Sequence, residues 1–341
     1  MPTEFKSFFK TVGGNEGNKC HYPTRLDTYG CGCQHDCKYC YAKSLLDFRK
    51  LWNAAQPAVV NIQKVHRTIT RQLHEGDVVR LGGMTDCFQP LERTHRATYR
   101  TIEELNRHNV GYLIVTKSDI VAEDDYLRLM RPELAHIQVT VTCTDDHFNR
   151  EYEKATPPSH RIRAIERLQA EGFDVALRLS PYIPQFIDKG VLDMDVINAV
   201  KCDKILVEFL RVNTWIKKWF DIDYSDYTYK QSGYQHMPLE TKIKYMQLIT
   251  GFKEVTVCED VSEHYLYWED NVNHNPLDCC NLRLPASHYE RHRKEHEAVR
   301  QQMEQSAKAS AIANEQPKFV QGSLFDDYAE VLNDQPDEQD E

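Results

Sequence analysis

The chain has 341 residues, 41% of them hydrophobic, and a net charge of −10. That size and apolar share suit a soluble globular protein with a sizeable core, and no apolar run approaches the roughly 18 residues of a membrane span. The charge is uneven. Residues 1–120 carry 17 Lys and Arg against 12 Asp and Glu, whereas the segment from Phe319 onward has eight acids and no Lys or Arg. A mildly basic front permits an anionic partner such as nucleic acid without demanding one. Residues 1–11 mix charges with phenylalanines and lack the continuous apolar core of a secretory signal. Eleven cysteines in a chain without such a signal point to metal or redox use rather than disulfides. A cytoplasmic location is therefore expected.

Residues 1–25 read as an irregular lead-in, with Gly13-Gly14-Asn15 and Gly17-Asn18 as turn signals. A first strand is expected over 26–29, then a cysteine-rich loop and a helix over 44–52. Apolar residues at Val59, Ile62, Val65, Ile69 and Leu73 recur at helical spacing. Strands follow over 78–81, 112–115, 136–142, 174–179 and 204–209. Helices stand between them over 94–107, 124–130, 161–171 and 191–200, and Gly172 suits a helix C-cap. The alternation from 26 to 209 is the βαβ signature. Six parallel repeats suit an open barrel, a partial (βα)6 unit over residues 26–210, with its site at the C-terminal ends of the strands. Residues 211–311 read as an extension. It comprises a long loop over 221–235 near the barrel mouth, helices over 239–249 and 285–311, and a candidate strand over 254–257. From Ile312 the acidic tail lacks core-forming character and is expected to be disordered.

The run Tyr29-Gly30-Cys31-Gly32-Cys33-Gln34-His35-Asp36-Cys37-Lys38-Tyr39-Cys40-Tyr41 is the densest in chemistry. Cys33, Cys37 and Cys40 are spaced C-x3-C-x2-C, which lets one loop wrap three thiolates around three corners of a cubane. A [4Fe–4S] cluster usually has four cysteine ligands, so three leave one iron open to a non-protein ligand. Tyr39 is expected to pack over the cluster, and His35 to face solvent. A zinc knuckle or three unrelated thiols are the alternatives. Zinc sites usually add a second ligand pair, and no clean pair follows.

C-x3-C-x2-C with an aromatic before the third cysteine resembles the signature of the radical S-adenosylmethionine (SAM) superfamily. The resemblance implies a [4Fe–4S] cluster whose open iron binds the SAM amino and carboxylate groups. It implies reductive cleavage of SAM to a 5′-deoxyadenosyl radical, and an electron donor such as flavodoxin or ferredoxin. It also implies that the glycine-rich turn after the second strand, with Gly82, Gly83, Thr85 and Asp86, contacts the SAM amino group. Gln138, Thr140, Thr142 and Thr144 share one face of their strand. Thr140 and Thr142 suit the SAM ribose or carboxylate, an exposed polar face being the alternative. Arg178 lies on a strand that should be buried on both faces. It needs a partner, which a SAM carboxylate would supply. Glu208 is a similar case, with a structural salt bridge as its alternative, and Lys117 is a candidate substrate or phosphate contact.

Within the superfamily, residues 29–42, Thr85-Asp86-Cys87-Phe88-Gln89-Pro90-Leu91-Glu92, Thr116-Lys117-Ser118 and residues 178–184 resemble the spore photoproduct lyase-like "DNA repair photolyase" group. That resemblance, over residues 20–210, implies action on nucleic acid or a nucleobase. It also implies a hydrogen-donor cysteine near residues 82–87. Met84 stands just before the Thr-Asp pair, and Cys87 is the nearest cysteine, so Cys87 is the candidate catalytic thiol. A peptide-modifying radical SAM enzyme and a non-catalytic iron–sulfur scaffold are the competing readings. Cys258, Cys279 and Cys280, with His264 and His274 between them, are candidates for a second metal site. Cys20, Cys31, Cys143 and Cys202 are taken as structural. In the tail, Gln321-Gly322-Ser323-Leu324-Phe325 resembles the bacterial sliding-clamp peptide, with Gly322 in place of the usual leucine.

Overall fold

The computed structural model describes residues 5–9, 24–275, 278–285, 297–298 and 300–309. The clamp-like residues Gln321 to Phe325, and all of the acidic tail, lie outside the described residues.

One sheet organises the molecule. Its strands, in spatial order, are β1 (Phe8–Phe9), β2 (Arg25–Leu26), β5 (Val78–Leu81), β6 (Gly111–Thr116), β7 (Ala135–Val141), β8 (Asp174–Tyr182), β9 (Lys204–Phe209) and β12 (Glu254–Val257). β1 pairs antiparallel to β2, and every other neighbouring pair is parallel. Two small pairs stand apart: β3 (Tyr29–Gly30) with β4 (Ala58–Val59), and β10 (Tyr229–Gln231) with β11 (Tyr234–His236). The expected partial α/β barrel is present, and β12 adds a seventh parallel strand beyond the six expected.

The local reasons are ordinary ones. β7 is buried along its whole length, as a strand with helices outside and a filled interior must be. The helix Ile62–Gln72 starts where Asn61 Oδ1 accepts the Lys64 amide at 3.2 Å, and it turns Val65 and Ile69 inward. Gly172 ends the helix Pro158–Ala170 with φ +82°, the left-handed value glycine tolerates.

Several expected elements differ. The first strand breaks in two after Leu26, because Asp27 turns away from the ladder to accept backbone amides from the loop after β5. The helix expected over 44–52 is Tyr41–Leu46 followed by the 3-10 turn Asp47–Arg49, and that expected over 191–200 shrinks to Met194–Asn198. The loop expected over 221–235 contains the hairpin β10–β11. Its corner, Ser232-Gly233, has φ of +55° and +78°, the pair of left-handed values of a two-residue hairpin turn.

Side chains on alternate strand positions point into the barrel. Arg80, Val115, Thr140, Arg178 and Glu208 share one inner layer. Two residues earlier on the same strands, Val78, Leu113, Gln138, Ala176 and Leu206 form the layer beneath. Residues 278–284 run across that lower layer. Cys279, Cys280 and Leu282 pack on Leu113 and Leu206. Gln138 Nε2 donates to the Cys280 carbonyl at 3.2 Å, and Lys204 Nζ to the Asn281 carbonyl at 3.0 Å. The barrel interior is thereby closed below.

Beyond β12 lies a buried charged network. Lys242 Nζ, on the helix Leu239–Met246, donates to Glu259 at 2.5 Å and lies 3.0 Å from His264 Nδ1. His236 Nδ1 lies 3.8 Å from Asp260, which also pairs with Arg211. Burial holds His236 well down, at a pKa of about 4.

Candidate active site

At the C-terminal ends of the strands a cavity opens, with Cys33, Cys37 and Cys40 on one wall. Gly82, Gly83, Thr85, Asp86, Thr140 and Arg178 line the rest. Sequence segments more than a hundred residues apart thus meet at one place.

The cysteine loop is held by its own backbone and by close approaches. Asp36 N donates to the Cys33 carbonyl at 3.1 Å, and Cys40 N to the Cys37 carbonyl at 3.2 Å. Cys40 caps the helix Tyr41–Leu46, its sulfur accepting the Lys43 amide at 3.4 Å. A Cβ on Gly32 would lie 2.0 Å from the Asn53 carbonyl oxygen, so only glycine fits there. Burial raises all three thiol pKa values, Cys33 to about 12, and the neighbouring thiols add to the rise at Cys33 and Cys37. Three thiolates on one wall, one buried and two half-buried, call for a cation between them, and soft sulfur ligands select zinc, Cu(I) or iron–sulfur centres. The donor set fits a cluster held by three cysteines.

Tyr39 packs beside this wall, its ring 5.7 Å from Tyr152 and 5.6 Å from Phe220. Its hydroxyl donates to Glu153, a carboxylate missed at the sequence level. Glu153 is fully buried, pairs with the buried Arg161, and lies 3.7 Å from Cys37 Sγ. Burial opposes its charge, but Arg161 and Lys117 hold its pKa below the usual carboxylate value. His35 is buried rather than facing solvent, with Nδ1 3.3 Å from Asp86 Oδ2.

The glycine turn is anchored by a second overlooked acid. Asp27 Oδ1 accepts the amides of Gly83, Met84 and Thr85 at 2.8, 2.9 and 3.3 Å. Burial raises the Asp27 pKa despite these bonds. Gly82 sits at φ +81°, and a Cβ there would meet the Thr85 and Val115 carbonyl oxygens at 3.1 and 3.2 Å. Thr85 Oγ1 donates to the Tyr29 carbonyl at 2.6 Å, and the Tyr41 hydroxyl donates to the Gly83 carbonyl. Asp86 accepts from Thr116 Oγ1 and from the Lys117 amide, both at 2.7 Å, tying the turn to the end of β6. Burial opposes its charge, but His35 and these bonds hold Asp86 below the ordinary carboxylate range. No local signal marks Asp27 or Glu153; each acts on a loop far along the chain.

Not every expected residue reaches the cavity. Thr140 does, but Thr142 Oγ1 lies 3.0 Å from the Tyr152 hydroxyl, and Thr144 bonds the Val191 carbonyl. Gln138, Thr140 and Thr142 are thus buried and Thr144 half-buried, and the exposed alternative falls away. Cys87 is fully buried in the core, outside the cavity lining, and burial pushes its thiol well up. Arg178 is not alone. Its guanidinium donates to Gln138 Oε1 at 2.7 Å and pairs with Glu208, which also accepts from Ser180 Oγ at 2.8 Å. The lone-arginine expectation is corrected, since two strands each supply one half of the pair. Lys117 Nζ donates to the Ser180 carbonyl at 3.2 Å across the cavity. Arg80 and Arg211 also line it. Cys258, Cys279 and Cys280 gather beneath. Among the described residues, however, only His236, Glu259 and Asp260 bring three ligand atoms within 4.8 Å of one another. No described helix is long and apolar enough to cross a membrane.

The fold resembles solved structures of spore photoproduct lyase. One is a mutant with bound AdoMet and dinucleoside spore photoproduct, with TM-score 0.51 and 15% identity over 69% of this chain and 76% of that one. Another mutant of the same lyase gives TM-score 0.52 and 13% identity over 73% of this chain and 79% of that one. In sequence, the chain is 24% identical over 159 residues to the uncharacterized protein MJ0683 of Methanocaldococcus jannaschii, a match spanning 46% of this chain and 60% of that protein. Residues 28–194 match the family model of the radical SAM superfamily. With its C-x3-C-x2-C loop and its partial barrel, that segment is a radical SAM domain.

Proposed function

We propose that this chain is a radical SAM enzyme whose substrate is a nucleic acid or a nucleobase. The observation that carries the first half is the single cavity shared by Cys33, Cys37 and Cys40, the glycine turn, Thr140 and Arg178. Radical SAM enzymes use a [4Fe–4S] cluster and SAM, and a reduced cluster with SAM supplies a 5′-deoxyadenosyl radical that abstracts hydrogen.

The chain's own residues have distinct parts. Cys33, Cys37 and Cys40 supply three thiolates from one loop. Gly82 and Gly83 let a ligand approach the backbone, and Asp27 fixes that turn before any ligand arrives. Arg178, kept in place by Glu208, offers its charge to a ligand carboxylate from one strand. Thr140 adds a hydroxyl on the neighbouring strand. Tyr39, Tyr152 and Phe220 exclude water from the cysteine wall, which protects a reactive intermediate from solvent.

The nucleic-acid half rests on two supports. Arg80, Lys117 and Arg211 add positive charge to the cavity lining beside Arg178, and the similar lyase structure is described with a dinucleoside ligand. The test is anaerobic reconstitution followed by an assay for 5′-deoxyadenosine, with and without DNA, RNA and peptides. Stimulation by nucleic acid, with a new nucleotide product, is the expected result. Stimulation by peptides alone would move the enzyme to the peptide-modifying class.

A further inference from the structure

The helix Tyr41–Leu46, which begins at the cluster cysteine Cys40, turns its outer side to solvent. Leu45, Phe48 and Leu51 are 41%, 50% and 39% exposed there. Beside them lies the helix Thr214–Trp219, tied to the first where Asn213 Nδ2 donates to Ser44 Oγ at 3.1 Å. Phe48 and the exposed Trp215 lie face to face, ring centroids 6.1 Å apart and planes within 8°. Trp219 follows at 6.3 Å.

Cations frame these rings. Arg49 stands 5.1 Å from the Phe48 centroid, Lys218 4.9 Å from Trp215, and Lys43 5.1 Å from Trp219. Among the described residues, Arg49, Lys217, Lys218 and Lys230 have no carboxylate partner. Burial and the nearby Lys230 charge depress Lys217, so positive charge is crowded here. The shelf also adjoins the active cavity. Tyr41 and Arg211 line that cavity, and Phe220, just past the second helix, packs on Tyr39.

We propose that Phe48, Trp215 and Trp219 form a stacking shelf for unpaired bases of a nucleic-acid strand. The strand's phosphates lie along Arg49, Lys217 and Lys218, and its next nucleotide enters the cavity. This rests on the nucleic-acid reading above and says where the strand lies. Every base offers a flat π face and every nucleotide a phosphate, so the exposed, parallel rings of Phe48 and Trp215, with Arg49 and Lys218 beside them and the half-buried Trp219 at their end, match that ligand class. An acidic electron carrier would satisfy the cations but has no need of parallel rings.

The test uses the full, reconstituted chain and fluorescence anisotropy. Its probes are a labelled twelve-residue oligothymidylate and an abasic strand of equal length. Phe48→Ala with Trp215→Ala should weaken binding of the oligothymidylate roughly 5- to 150-fold and leave the abasic strand unchanged. Trp215→Phe should retain most of the affinity. Lys217→Gln with Lys218→Gln should reduce the slope of log affinity against log salt by about 1.4, for two phosphates on a single strand. Wild-type affinity in the double alanine variant would overturn the shelf while leaving the nucleic-acid reading intact. Failure of the unmodified protein to bind any strand would remove that reading itself. Slower reduction by an acidic flavoprotein, with oligothymidylate affinity unchanged, would make the shelf a carrier's dock and overturn the proposal.

Discussion

At the scale of single residues, the site depends on a few buried acids and thiols with separate duties. Cys33→Ala, Cys37→Ala or Cys40→Ala should each abolish the ~400 nm iron–sulfur absorbance and SAM cleavage, whereas Cys31→Ala should keep both. Cys87 is a different matter. It is sealed in the core, so Cys87→Ala should retain the cluster and SAM cleavage and lose about 1 kcal/mol of stability, as a small core truncation does. Product formation in that variant, measured beside radical formation, decides whether Cys87 donates hydrogen. Asp27→Ala orphans three amides in the glycine turn. Each orphan costs on the order of 1–3 kcal/mol, so the variant should lose SAM binding while thiol loading with iron persists. Calorimetric titration with SAM separates the two. Arg178→Ala strips Glu208 of its partner and should weaken SAM-free protein by roughly 1–3 kcal/mol in urea, besides lowering SAM affinity.

Secondary-structure elements show which parts of this site were legible in the chain. The five strands β5 to β9 were readable because each is a short, mostly apolar run ended by glycine, proline or charge, whereas the expected first strand over 26–29 carries Asp27 and broke in two. The C-x3-C-x2-C loop was readable because its spacing is local. β12 was harder, since Glu-Val-Thr-Val is only four residues long and stands forty-five residues past β9. The Ser232-Gly233 corner was a missed turn signal. Arg178 and Glu208 were each singled out, but their pairing depends on which strands become neighbours, which no local pattern states. Two predictions belong at this scale. Gly82→Ala forces a left-handed residue between two carbonyls and should cost about 1–2 kcal/mol, visible as a lower denaturant midpoint. His236, at the end of β11, is held neutral with a pKa near 4, against 6.5 for the free imidazole. Between those values only the unfolded chain takes up the proton, so this contribution is whole above about pH 6.5 and fades as pH falls toward 4. At pH 5 the loss is about 2 kcal/mol. Urea unfolding at pH 7.5 and pH 5 should show a smaller difference for His236→Gln than for the native chain.

For the whole molecule, the informative boundary is residue 210. The repeat pattern ends there, yet the interior is completed by residues from beyond it. Leu113 and Leu206 are covered by Cys279, Cys280 and Leu282, and β9 is paired by β12. A fragment ending at residue 210 leaves that layer and one sheet edge open. It should bind a hydrophobic dye and aggregate, whereas a chain ending at residue 311 should unfold cooperatively. A cooperative transition for the shorter fragment would make residues 26–210 an autonomous unit. Sequence periodicity finds repeats, but it does not see a later segment threading back beneath them.

That segment also sets an order in time. The ribosome passes Cys40 early and reaches residue 284 last among the residues that close the barrel below. At roughly 5–20 residues per second the interval is about 12–50 s. Throughout it the cysteine loop exists on a nascent chain whose barrel has no bottom. Oxygen and stray metals should reach those thiols more readily during synthesis than in the finished chain. Cluster delivery is therefore best matched to chain release, and nascent chains stalled before residue 254 should be alkylated at Cys33, Cys37 and Cys40 far faster than the finished protein.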